Sequence, residues 1–254
     1  MIPAEIIPEA EPDVSVPEAA PDASVSAEEA RIIEAYARRE ASAKRYSWFE
    51  PGHVFMIQDL ERRLLLALKR RGVTSLSSKQ ILEIGCGNGH WLREFIKWGA
   101  APENIAGVDL LPERIALARK LSPPGISLAH GNAAHLKFPS ASFDIVFQTT
   151  VFTSILDHGL KREIANEMMR VLKPDGLAFW YDFRVNNPRN PDVRGIGKSE
   201  IEKLFSGWRV SLETITLAPP LARALAPYSW LGSHLLSKIP WACSHYLGTI
   251  QKLR

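Results

Sequence analysis

The chain has 254 residues, 46% hydrophobic and 23% charged, with a formal net charge of +3; this balance excludes a fibrous or wholly disordered chain and suits one large globular domain. Its two cysteines, Cys86 and Cys243, are too few for a disulfide framework and point to a reducing compartment. No apolar run approaches the ~20 residues that cross a bilayer, and residues 1–30 lack the basic and apolar regions of a secretory signal, so a cytoplasmic location is expected.

Residues 1–25, rich in Ala, Pro, Glu and Ser, read as a disordered acidic tail. Residues 1–29 hold eight acidic and no basic residues, which leaves 31 basic against 20 acidic residues in the remainder, a body of +11. Such a body attracts anionic partners or serves solubility alone. Ser26 and Glu29 form a capping-box pattern, predicting a helix through Ile32, Ile33, Tyr36 and Ala37. Val54 to Arg70 places Phe55, Ile57, Leu60, Leu64, Leu65 and Leu68 mainly on one helical face. Residues 26–75 are thus expected to form an N-terminal helical cap, and 76–254 the main domain.

From Gln80 onward, short β-rich runs alternate with helical stretches. Strands are predicted at Ile81–Ile84, Ile105–Asp109, Ile126–Ala129, Phe143–Phe147, Leu177–Phe183, Arg209–Leu217 and Tyr246–Lys252, with helices at Leu111–Lys120 and Lys161–Leu172. This alternation predicts an α/β, doubly wound, mostly parallel seven-stranded sheet. Residues 218–243, punctuated by Pro219, Pro220, Pro227 and Pro240, are expected to insert short helices before the last strand. An insertion of this kind forms a lid over the carboxyl ends of the strands, where such folds bind ligands.

The chemistry concentrates after the first strand, which runs into Gly85-Cys86-Gly87-Asn88-Gly89. Glycines let the backbone turn sharply and approach a ligand closely. The spacing fits neither a dinucleotide-binding G-x-G-x-x-G loop nor a P-loop. Asp109 ends the next strand, where a carboxylate can accept from a ribose diol; a turn or helix cap before Pro112 is the plainer alternative.

Glu83-Ile84-Gly85-Cys86-Gly87-Asn88-Gly89 resembles the first motif of class I S-adenosylmethionine-dependent methyltransferases, a Rossmann-like fold. Gly131-Asn132-Ala133 resembles their adenine-contacting Gly-Asp-Ala, with Asn in place of Asp. Phe138-Pro139, Ser142 to Val146, and Arg170 to Gly176 are similar to the stretches leading into the fourth and fifth strands, with Asp175 where Gly is commoner. The resemblance covers residues 80–183. It implies S-adenosylmethionine as cofactor and S-adenosylhomocysteine as product. It further implies that Glu83 and the Gly85–Gly89 loop, including Cys86 and Asn88, hold the methionine part. Asp109 would bind the ribose, Leu110 would pack on the adenine, and Asn132 and Ala133 would meet the adenine. Gln148 would stand where cofactor and acceptor meet, and Arg45 and Tyr46 would close over the cofactor carboxylate. Trp91 reads as a packing residue.

Arg45 to Phe49, Asp182 to Pro188 and Leu217 to Arg223 are also similar to small methyltransferases encoded among surface-polysaccharide biosynthesis genes. That likeness implies an oxygen of a small-molecule, glycan or lipid-linked acceptor. A base would then take the acceptor proton. His158 is the first candidate, followed by Tyr181 and Asp182, with His53 and His245 also considered. Asp182 could instead anchor the following loop. No Cys/His grouping has metal spacing.

Trp230, Trp241, Arg223 and Lys238 permit peripheral contact with the inner face of a membrane, although proline content favours a buried cap. An RNA substrate fits the +11 body, but no dense basic stripe interleaved with aromatics supports nucleic acid. A non-catalytic S-adenosylmethionine-binding scaffold is the remaining alternative.

Overall fold

A computed structural model of the chain describes residues 26–39, 47–188 and 190–253. The expected tail over 1–25, together with Arg45 and Tyr46, lies outside the described residues.

The strands are β1 (Ile81–Ile84), β2 (Ile105–Asp109), β3 (Ser127–His130), β4 (Phe143–Thr149), β5 (Leu172–Phe183), β6 (Trp208–Leu217) and β7 (Cys243–Lys252). They pair in one sheet of order β3-β2-β1-β4-β5-β7-β6. The first five are parallel, and β7 runs antiparallel between β5 and β6. β1 and β2 are buried throughout, which is why they read as continuous apolar runs. β6, at the sheet edge, alternates in burial over most of its length. β5 starts at Leu172 rather than at the expected Leu177. Its first residues carry a register shift, with Phe143 opposite Leu172 but Ile145 opposite Leu177.

Helices cover both faces. On one lie α2 (Pro51–Arg70), α3 (His90–Lys97) and α4 (Pro112–Leu121), where Leu60, Leu64, Phe95 and Ile115 join Ile81, Phe147 and Phe179 in a shared core. On the other lie α5 (His158–Val171) and α6 (Lys198–Leu204), where Ile164, Met168, Ile201 and Phe205 pack with Leu82, Val146 and Trp180. α1 (Ala27–Arg39) joins this second core through Ile32. The cap expected over 26–75 is therefore divided: α2 belongs to one layer of the sheet, and α1 lies on the other side.

Local chemistry sets the helix starts. At α1, Ser26 N donates to Glu29 Oε2 at 2.7 Å and Glu29 N to Ser26 Oγ at 3.2 Å, a reciprocal capping box. α2 begins at Pro51 instead of Val54 because proline suits the first turn, where its missing N–H costs nothing. α5 begins at His158 instead of Lys161 because Asp157 caps it, its Oδ1 accepting from Leu160 N at 2.6 Å.

The segment between β6 and β7 holds α7 (Pro219–Leu225), α8 (Trp230–Leu236) and a 3-10 turn at Pro240–Ala242. Ala222, Ala226 and Ala242 form a small core with Leu217 and Phe55 of α2. β6 points the same way as β5, so α7 leaves the sheet at its carboxyl edge.

Candidate cofactor site

Sheet order reverses at β1, which has β2 on one side and β4 on the other. A crevice opens at such a point beyond the carboxyl ends of the strands. There the chain turns through Gly85, Gly87 and Gly89 at φ of +67°, +53° and +75°, a region that favours glycine because a Cβ is strained there. A Cβ on Gly85 would also collide with Val151 Cγ2 from the loop after β4. Gly85 N and Cys86 N donate to Val108 O at 2.8 and 3.0 Å.

Asp109 pins the loop. Its Oδ2 accepts from Gly87 N at 2.8 Å and its Oδ1 from Leu111 N at 2.9 Å. The turn-capping role and the site role therefore coincide in one side chain. A carboxylate has about four acceptor positions, so capacity remains for a diol. Cys86 contributes only backbone here: its side chain is buried in the core beside α3, and burial raises its thiol pKa. Asn88 is exposed, and its carbonyl accepts from Arg93 Nη1 at 2.7 Å.

Three buried polar atoms beside the loop have no hydrogen-bond partner: Glu83 Oε2 in β1, Gln148 Nε2 in β4 and His90 Nε2 at the start of α3. Such orphans are uncommon in folded proteins. The register sets Glu83 opposite Phe147 and Ile84 opposite Gln148, so Glu83 and Gln148 lie one position apart on opposite faces of the sheet. Gln148 Oε1 accepts from Val151 N at 3.2 Å. Burial first, and Asp109 second, hold the Glu83 carboxyl well above the usual carboxylate range. A cationic group placed there would satisfy the orphaned oxygen and reverse that shift.

On the β3 side, Asn132 Oδ1 accepts from Ala134 N at 2.8 Å, and its Nδ2 donates to Glu29 Oε1 at 2.7 Å. Leu110 and Ala133 pack partly buried against the core. The contact with Glu29 brings α1 across the ends of the strands. Arg31 Nη2 donates to Ser154 O at 2.6 Å, and the Tyr36 hydroxyl lies 3.2 Å from Ser154 Oγ. The Arg114 guanidinium sits 4.3 Å from the centre of the Tyr36 ring. Beneath lies a cleft of about 240 Å³ lined by Tyr36, Ala37, Leu111, Glu113 and Arg114. The sequence placed Tyr36 on a helix but carried no sign that the helix crosses this rim.

The acid–base candidates are dispersed. Tyr181 is buried; its hydroxyl donates to Thr216 Oγ1 at 3.0 Å, and burial raises its pKa. His245 stacks on it, ring centres 4.6 Å apart, and burial lowers the imidazole to about 3. Asp182 is buried and accepts from Phe152 N at 2.9 Å, Thr153 N at 3.3 Å and the Thr153 hydroxyl. It anchors the turn after β4 rather than the loop after β5. His158 is exposed at the start of α5, its Nδ1 3.5 Å from Glu200 Oε1 and its Nε2 3.4 Å from Arg194 Nη1. Trp91 is buried, its ring 5.6 Å from that of Phe147.

A different pair stands at the loop. His90 comes directly after Gly89, and its ring lies 5.5 Å from that of Trp48, which in turn lies 5.6 Å from that of His53. Burial, then the positive charge of Arg93, lowers His90 to about 4, and its Nε2 has no hydrogen-bond partner. Burial and Arg223 also lower the pKa of His53. Sequence reasoning missed His90 because the motif is recognised by its glycines, and the residue after Gly89 carries no pattern of its own.

Fold and loop together define a doubly wound α/β domain built to hold a nucleoside-bearing cofactor at the end of β1. Residues 81–176 match the family described as "Methyltransferase domain". That segment, which holds the glycine loop, Asp109 and the strands beside them, is a methyltransferase domain. The chain is 29% identical, over 50% of its length and 39% of the relative's, to a 2-methyl-6-phytyl-1,4-hydroquinone methyltransferase of Synechocystis sp.. It is 34% identical to a phthiotriol/phenolphthiotriol dimycocerosates methyltransferase of Mycobacterium leprae, over 44% of this chain and 41% of that one. The matched segment thus spans about two fifths of the length of each of these relatives. Among solved structures, an S-adenosylmethionine-dependent methyltransferase from Mesorhizobium loti superposes with a TM-score of 0.54 at 16% identity, covering 73% of this chain and 96% of that one. One from Archaeoglobus fulgidus gives 0.52 at 16%, covering 75% and 94%. These two likenesses are of fold.

Proposed function

We propose that the chain transfers a methyl group from S-adenosylmethionine to an oxygen of a lipid-linked acceptor, leaving S-adenosylhomocysteine. The observation that carries the cofactor is the orphaned Glu83 Oε2, buried beside three left-handed glycines. The residues fit the group. Glu83 suits the ammonium of the methionine part, and the remaining acceptor capacity of Asp109 suits the ribose diol. Leu110 and Asn132 lie where the adenine would rest, under α1.

When bound, S-adenosylmethionine supplies a methyl already activated on a sulfonium. What remains for the chain is alignment, exclusion of water and removal of the acceptor proton. α1 covers one side of the rim, and α2 with α7 bounds the other. His90, neutral above about pH 4, can take the proton of an acceptor hydroxyl on Nε2 as the oxygen–carbon bond forms.

The acceptor class is supported by the apolar insertion at the same rim. It is also supported by relatives whose names carry quinone and lipid acceptors, a demethylmenaquinone methyltransferase of Chlorobaculum parvum among them, 34% identical over 52% of each chain.

Isothermal titration of S-adenosylmethionine and S-adenosylhomocysteine into the wild type and Asp109→Ala tests the reading. Micromolar binding to the wild type is expected, weakened in the variant by ~1–3 kcal/mol, the range for losing a hydrogen-bonded charged partner. No binding to the wild type would overturn it.

A further inference from the structure

The helix α8 is built inside out. Its Leu231 and Leu235, one turn apart, are 69% and 60% exposed. Its fully buried positions are serines, with Leu236 packed partly buried among them: Ser233 is 0% exposed and Ser237, just past its end, 2%. Both hydroxyls are satisfied locally, Ser233 Oγ donating to Ser229 O and Ser237 Oγ to His234 O, each at 2.8 Å. Small, self-satisfied serines, with Leu236 packed partly buried beside them, let α8 approach the body closely while Leu231 and Leu235 face outward. An ordinary surface helix has the opposite arrangement.

The surroundings extend the outward face. Tyr228, Trp230 and Trp241 are exposed, as is Leu221 of α7. Tyrosine and tryptophan combine an apolar body with a polar tip and concentrate where hydrocarbon meets water. Charge points the same way. The insertion carries Arg223 and Lys238 and no acidic residue, and none occurs between Glu213 and residue 254.

We infer that the α7–α8 insertion is an interfacial membrane anchor, seating its leucines and aromatics in the headgroup region of an anionic bilayer. The face also adjoins the site. Gly52 in the first turn of α2 abuts the Arg223 backbone, where a Cβ would lie 2.7 Å from Arg223 Cα, and the Phe55 and Trp230 rings meet edge to face at 5.6 Å. His53, one residue beyond Gly52, leads through Trp48 to His90 and the glycine loop. A docked insertion would present a lipid acceptor to that rim without full extraction from the bilayer. The inference deepens the lipid-acceptor reading, and its test is independent of catalysis.

Flotation of the full chain with vesicles of equal parts phosphatidylglycerol and phosphatidylcholine, beside pure phosphatidylcholine, provides that test. Binding to the anionic vesicles is expected, weaker at high salt and on pure phosphatidylcholine. Leu231→Glu with Leu235→Glu should reduce it on the order of tenfold or more while S-adenosylhomocysteine titration stays unchanged, which shows the variant folded. Absence of wild-type binding at low salt, or equal binding by the variant, overturns the inference. So does a wild-type dimer that the double variant converts to monomer, since the face would then be a self-interface. Failure of cofactor binding alone would strike the functional reading and leave the vesicle result standing.

Discussion

Within β5, Asp182 shows how burial and hydrogen bonding compete over one carboxyl. Burial pushes it up to about 7, against the hydrogen bonds from Thr153, Phe152 and Phe183 that favour the charged form. Between its ordinary value of 3.8 and about 7, the folded state keeps a proton that the unfolded state releases. Stability from this group therefore falls as pH rises through that window and is level above it. Asp182→Asn should flatten that slope in denaturant titrations at several pH values. It should also lower stability at neutral pH by ~1–3 kcal/mol, because an amide offers the turn one accepting oxygen where the carboxylate offers two. A slope that survives in the variant would assign the pH dependence elsewhere. His90 makes the complementary case. Its imidazole is held neutral, so substitution should spare the cofactor and slow transfer. His90→Gln is expected to bind S-adenosylhomocysteine within a few-fold of wild type while kcat drops ~10²–10⁴-fold, the usual worth of a general base. An unchanged kcat would remove His90 from the reaction.

At the scale of elements, α1 is a strap held by polar contacts beside the apolar packing of Ile32, Ala35 and Tyr36. Glu29 does two jobs: one oxygen caps the helix at Ser26 N, and the other accepts from Asn132. This gives a reason for asparagine where the family pattern has aspartate. An aspartate at 132 would set a second carboxylate against Glu29, costing on the order of 1 kcal/mol for like charges near 4 Å even in a watery environment. Asn132→Asp should therefore speed hydrogen exchange in the α1 amides, and adding Glu29→Gln should restore protection. Unchanged exchange in the single variant would mean that Arg31 and Tyr36 hold the strap without this bond. Proline punctuation favoured a buried cap, and the insertion buries Ala222, Ala226, Ser233 and Ser237 and packs Leu236 and Ile239 inward, while Leu231 and Leu235 stay exposed.

Among the described residues, one edge of the molecule gathers the features of the candidate site. The glycine loop, the strap and the insertion all stand at the carboxyl ends of the strands, on either side of the point where sheet order reverses. The opposite ends of the strands carry packing and ion pairs such as Lys173 with Asp144 at 2.7 Å. Among the described residues, no helix is long and apolar enough to cross a membrane. The proposed contact with lipid therefore rests on the outward Leu231 and Leu235 of α8 and on the basic surplus beyond the acidic first 29 residues.

What the sequence determined by itself was local or periodic. The apolar runs of β1 and β2, the capping box of Ser26 and Glu29, the glycine spacing and Asp109 are each written within a few residues, and local geometry enforces them. What only the tertiary structure decided depended on partners distant in the chain. Tyr181, Asp182 and His245 looked like rim acids and bases because their types suit proton transfer. Packing of β5 against β7 and of the turn after β4 buried them instead. His90 and His53 gained their place from α2 lying beside the glycine loop, 37 residues apart in number but linked through Trp48. The outward turn of Leu231 and Leu235 was invisible to pattern reading, because periodicity reveals that a helix has two faces, and only the body it packs against decides which one turns inward.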